Sequence, residues 1–184
     1  TRVIAFICMA ILPLAFLKVS NIEFWDLTYK WTSSDSKYTI ILALILMPLG
    51  ALNAKGKWHL TQYPQVRMTR WNKVEYITNI LSWGLYLLGY EFLFRGVLFL
   101  GLIPFTGLYT AIGINTALYA LAHIYKGKKE TIGSIPLGIV LCYITWKTGT
   151  IWSAFAIHWI MAGNNFIWSH YYNSKPPNTF KKSN

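Results

Sequence analysis

The sequence predicts an all-α fold: a polytopic membrane bundle of about six spanning helices around an intramembrane polar cavity. Three observations predict it. Of the 184 residues, 54% are hydrophobic and 12% charged, where an ordinary soluble domain carries about 25% charged residues; the mean hydropathy is +0.37. Six long apolar runs approach the ~20 residues a spanning helix needs. One acid and two histidines sit deep within those runs, where a charge costs at least ~2.5–3.5 kcal/mol and needs a partner.

The runs follow in order. The first is Val3 to Leu17, short and behind Arg2. It has the look of a signal peptide, but no small-x-small cleavage site follows it and further spans do, so it is read as a span. The chain starts at Thr1 rather than Met, and an incomplete N-terminal region is expected. The second run is Tyr38 to Ala54, the third Tyr76 to Ile103, the fourth Gly107 to Tyr125, the fifth Thr131 to Trp146 and the sixth Thr150 to Tyr171. Pro13, Pro48 and Pro136 fall inside runs, which membrane helices tolerate as kinks. No internal repeat is visible, which disfavours a transporter built from two related halves. Three regions result: 1–73, N-terminal helices and a basic loop; 74–172, a core; and 173–184, a polar basic tail.

Charge then orients the bundle. Seventeen Lys and Arg stand against six Asp and Glu, a net charge of +11. Aromatic residues at 17% exclude a disordered basic tail. A soluble nucleic-acid binder would carry its basic residues on a polar face, so no nucleic-acid partner is expected. Twelve of the seventeen cations fall on one side: Arg2, the loop from Lys55 to Lys73, Lys126 to Lys129, and the tail. Both termini are therefore expected in the cytoplasm, with the protein integral to the membrane. Lys57 to Lys73 interleaves Trp58, Tyr63, Met68 and Trp71 with basic residues. It reads either as an interfacial segment meeting anionic lipid or as a solvated loop. Cys8 and Cys142 lie in apolar runs with no CxxC and no His at metal spacing, and read as small buried hydrophobes.

The acids separate sharply. Glu23, Asp26, Asp35, Glu75 and Glu130 lie in loops or at span edges, whereas Glu91 is deep in the third run. Arg95 is four residues on, so the two can pair on one helical face. His59 and His170 are assigned to surface or interface positions. His123 and His158 lie inside apolar helices. Counting ~1.5 Å per residue from the Pro104–Gly107 turn places Glu91 and His123 at matching depth, ~22–25 Å in. His158 comes out only ~14 Å from the Gly149 turn, a mismatch that needs tilt, a kink or unequal loop depths. One Glu and two His in an apolar cavity suit acid–base chemistry on water, with the carboxylate taking a proton and imidazoles donating to an oxyanion. The same Glu91, His123 and His158 are alternative zinc ligands with an open fourth position; no HExxH supports this, and no cofactor is expected.

Three segments together resemble the CPBP family (CAAX protease and bacteriocin-processing, or Abi), intramembrane proteases related to type II CAAX prenyl endopeptidases. They are Tyr90-Glu91-Phe92-Leu93-Phe94-Arg95, Tyr119 through His123, and the stretch beginning at His158. The resemblance covers about residues 74–170 and implies a helical bundle with a hydrophilic cavity and peptide-bond hydrolysis within the membrane. In that family a glutamate and the first histidine activate water, the second histidine and an asparagine stabilise the oxyanion, and the arginine orients the glutamate pair. Two positions depart from the pattern: Tyr90 stands where the first Glu of the pair would be, and Ala162 where the Asn would be. Asn165, seven residues after His158, faces the same side and is the candidate substitute. The resemblance implies a protein or peptide substrate reached within membrane lipid. A catalytically inactive scaffold or bacteriocin-immunity protein of the same fold is the alternative, and a small channel or transporter a third.

Overall fold

The computed structural model describes residues 2–19, 30–63, 65–66 and 71–173. Glu23, Asp26, Arg67, Met68, Arg70 and the tail cations Lys175, Lys181 and Lys182 lie outside the described residues. The described residues are helical, with no strand among them. They form α1 (Arg2–Val19), α2 (Ser33–Asn53), α3 (Lys57–Gln62), α4 (Lys73–Thr106), α5 (Leu108–Leu121), α6 (Lys128–Thr148) and α7 (Trp152–Asn173).

Capping sets the starts of the two long helices α2 and α4. Thr32 and Asp35 form a reciprocal capping box at α2, and Asn72 and Glu75 form one at α4. Helix α6 ends on Gly149, whose φ of 69° is the left-handed closure that glycine adopts without strain. Helix α1 carries a π turn at Ile7–Ile11 just ahead of Pro13, whose ring blocks the regular i−4 hydrogen bond. A second π segment, Phe92–Leu100, interrupts α4 immediately after Glu91.

Helices α1, α2 and α4 are long and apolar enough to cross a membrane. At ~1.5 Å per residue α4 is about 50 Å long, well over the ~30 Å hydrocarbon core. Of the other three expected spans, α5 is apolar but short, and α6 and α7 carry polar side chains that turn inward. The exposed faces of α1 and α2, including Ile4, Phe16, Ile40, Leu44 and Leu52, are those of lipid-facing helices. Cys8 lies on such a face and is exposed, so it is not the buried hydrophobe expected; Cys142 is fully buried.

Helix α1 is packed on α4, α2 on α7, and α5 on α6. Gly50 lets α2 approach α7 closely: a Cβ there would run into Asn164 Nδ2. Asn164 accordingly donates to the Met47 carbonyl, 3.0 Å away. Asp35, expected as an ordinary edge acid, is fully buried. Its Oδ1 accepts from Thr150 Oγ1 and Ser153 Oγ, both at 2.6 Å, which ties the start of α2 to the start of α7. The Gly149–Ile151 turn is thereby drawn into the bundle, with Ile151 only 2% exposed, whereas Phe105 in the Pro104–Gly107 turn is 87% exposed. His158 nevertheless meets Glu91, at 2.6 Å, despite the depth mismatch the residue count gave.

Candidate active site

A cavity of about 760 Å³ opens between α2, α3, α7 and the junction of α5 with α6. Its walls are apolar at Leu46, Leu49, Leu137 and Met161, and His123 and His158 face into it.

Glu91 ends the regular part of α4 and is 0% exposed. Its Oε2 is 3.2 Å from Arg95 Nη1, the i,i+4 pair read from the sequence. Its Oε1 is 2.6 Å from His158 Nδ1. A carboxylate accepts, so Nδ1 carries a proton, and in the neutral tautomer this leaves the lone pair on Nε2. Glu91 is not on the cavity wall; it stands behind His158. Arg95 is equally buried, its guanidinium 4.2 Å from the centre of the Tyr119 ring.

His123 is not inside a helix, as the apolar run implied. Helix α5 stops at Leu121, and His123 begins the turn that runs through Ile124–Lys126. The last turn of a helix leaves carbonyls without partners. His123 Nδ1 donates to one of them, Tyr119 O, over 2.8 Å. In the neutral ring its lone pair is therefore on Nε2. The two imidazoles are 6.5 Å apart, centre to centre. Tyr90, at the position of the family's first Glu, is buried and stacked on Phe94 at 4.4 Å, with its ring 5.8 Å from that of His158 and 6.3 Å from that of His123.

Asn165 also lines the cavity. It lies two helical turns, ~10 Å, beyond His158 along α7. There it meets residues that the sequence did not single out. Its side chain interacts with Tyr63, whose hydroxyl donates to Glu130 Oε1 over 3.0 Å. His59 is stacked on Tyr63 at 4.8 Å and is 5% exposed, a correction to its expected surface position. Burial holds its pKa below the ordinary histidine value. Burial, then the Glu130 carboxylate, push the Tyr63 phenol up. Burial lowers the pKa of Lys126, which also lines the cavity, against the opposing pull of Glu130. Glu130, expected as an unremarkable edge acid, is thus part of the cavity wall. His170 is half-buried and stacked on Phe166. Tyr63 and Glu130 are 67 residues apart, and nothing local in the sequence joins them.

Zinc is the alternative role for Glu91, His123 and His158. Both oxygens of Glu91 face other groups, Arg95 and His158, so the open nitrogens of His123 and His158 are the donors that remain. Among the described residues no three His, Cys, Asp or Glu side chains are grouped to hold a metal ion.

The family model described as "Type II CAAX prenyl endopeptidase Rce1-like" matches residues 72–163, half of the chain. The chain belongs to this family. It is an integral membrane protein of the CAAX-type intramembrane protease group. No curated protein and no solved structure matches the chain. The matched segment starts at the Asn72 cap of α4 and includes Glu91, Arg95, His123 and His158; it ends two residues before Asn165. The cavity's other wall, on α2 and α3, comes from outside the matched segment of this Rce1-like chain.

Proposed function

We propose that this Rce1-like protein is an intramembrane endopeptidase that hydrolyses peptide bonds of membrane-associated, prenylated-type substrates. The observation that carries this reading is the 2.6 Å hydrogen bond from His158 to a fully buried Glu91, with the other face of the imidazole open to the cavity. Glu91 fixes the tautomer of His158 and stabilises the imidazolium that forms when Nε2 takes a proton from water. That water attacks the scissile carbonyl carbon. The proton then passes from His158 to the leaving amine nitrogen as the C–N bond breaks. His123, with its own Nε2 unprotonated, accepts a hydrogen bond from the attacking water and orients it. Arg95 holds Glu91, and Asn165 binds substrate further along α7. No metal is required in this scheme.

Residues 74–172 form the catalytic unit. The side bearing Lys55 and Lys126 to Lys129 is read as cytoplasmic, with both termini on it, in a bacterial cell. The apolar walls suit a lipid-modified chain entering from the bilayer.

The test is cleavage of a peptide panel, prenylated and unmodified, by the full chain purified in detergent. Glu91→Ala, His123→Ala and His158→Ala should each abolish it while the protein is still made. Unchanged cleavage in all three overturns the reading. Tyr90 and Ala162, at the positions of a family Glu and Asn, favour a second reading: an inactive scaffold or bacteriocin-immunity protein of the same fold. In that case the three substitutions leave the cellular phenotype whole.

A further inference from the structure

The π segment of α4 is clamped by a buried amide. Asn115 Nδ2 on α5 donates to the carbonyl of Phe94 over 2.6 Å, and Cys142 Sγ on α6 donates to Asn115 Oδ1 over 3.1 Å. Asn115, Cys142, Arg95 and Glu91 are all 0% exposed. The amide orientation is fixed by chemistry, because a carbonyl oxygen can only accept and Nδ2 must face it. The Phe94 carbonyl belongs to the peptide plane that leads into Arg95. Fixing that plane fixes where the Arg95 side chain starts. From there the links are short: Arg95 to Glu91 at 3.2 Å, and Glu91 to His158 at 2.6 Å. π turns recur at functional sites because they re-aim the side chains that follow. Asn115 touches neither the cavity nor His158.

We propose that Asn115 is a positioning residue: through the Phe94–Arg95 peptide it sets the Arg95 guanidinium, and so the Glu91 carboxylate, for its hydrogen bond to His158. This rests on the proteolytic reading for its kinetic consequence but not for its structural one. Interior polar contacts of this kind act by geometry, and a displacement of ~1 Å costs up to ~100-fold in rate.

Two readouts separate the two readings. The first needs no turnover: the downfield Nδ1–H proton resonance of His158 in the 15N-histidine-labelled full chain in detergent, assigned by its loss in His158→Gln. Asn115→Ala should shift it upfield, Glu91→Gln should abolish it as the tautomer turns over, and Cys142→Ser, which retains a donor, should leave it in place. Asn115→Leu, close in volume and without a donor, serves where Asn115→Ala does not fold. The second readout is cleavage: Asn115→Leu should lower kcat by ~10- to 100-fold with KM little changed. A resonance that stays at the wild-type position in folded Asn115→Ala or Asn115→Leu overturns the proposal. A wild-type protein that cleaves nothing, with the resonance shifting as expected, overturns the proteolytic reading and leaves the positioning role standing.

Discussion

His158 Nδ1 and Glu91 Oε1 are 2.6 Å apart, and one partner faces the cavity while the other is wholly enclosed. The carboxylate therefore reaches any cavity water through the imidazole. Glu91→Gln keeps the shape but offers an amide that can donate to Nδ1, which turns the tautomer over and blocks Nε2 as a base. We expect kcat to fall at least ~100-fold, the lower range of general acid–base contributions. The measurement is steady-state cleavage in detergent. A loss confined to KM would place Glu91 in substrate binding instead.

Arg95 tests the same site from the other side. Removing one partner of a buried ion pair leaves the other charge uncompensated, at a cost of about 3–5 kcal/mol. Arg95→Met should lower the unfolding temperature strongly. The double variant Glu91→Gln/Arg95→Met removes both charges and should recover most of that stability without recovering cleavage. Thermal unfolding followed by tryptophan fluorescence decides it; if the double variant is no more stable than Arg95→Met, the pair is not energetically coupled.

The Glu91–Arg95 pair was legible because its spacing is local: four residues put both side chains on one face. The membrane runs were legible because apolar length is itself the signal. Their ends were not, and the fourth run shows why: residues 122–125 are as apolar as the helix before them, yet the chain turns there and His123 bonds to a freed carbonyl. The meeting of His158 with Glu91 joins residues 67 apart on two helices, and nothing local in the sequence signals it. His59 and Tyr63 looked like part of a basic loop because the carboxylate that receives Tyr63 is 67 residues away.

Metal removal gives a separate outcome. With Glu91 turned to Arg95 and His158, two imidazole nitrogens are the donors left facing the cavity, short of the three protein ligands of catalytic zinc sites. Prolonged dialysis against a chelator should leave cleavage unchanged. Loss of cleavage restored by stoichiometric zinc would require Glu91 to leave Arg95 and join the two histidines.

His59 supplies a pH dependence. Burial holds its pKa below the ordinary value of 6.5, so the unfolded chain binds the proton at higher pH than the folded one. Stability from the neutral ring is complete above about pH 6.5 and is lost as pH falls below it. His59→Gln should flatten the decline in unfolding temperature between about pH 6.5 and pH 5. Parallel curves for the two proteins would remove His59 from the acid response.

Asp35 joins stability to the site. Its carboxylate accepts from Thr32, Thr150 and Ser153, and the last two lie at the start of α7. Hydrogen bonds to a charged group contribute about 1.5–3 kcal/mol each and are not additive within one cluster. Asp35→Ala is expected to cost about 3 kcal/mol. For a chain of this size that lowers the unfolding temperature by about 6–12 °C. His158 is five residues beyond Ser153, so release of the turn should also move its imidazole relative to Glu91. Well below the unfolding temperature, kcat for Asp35→Ala should therefore drop, and Asp35→Asn, which keeps one acceptor oxygen, should fall between the two. A large loss of stability with wild-type kcat would show that the depth of α7 is set by its packing on α2 at Gly50 rather than by this tether.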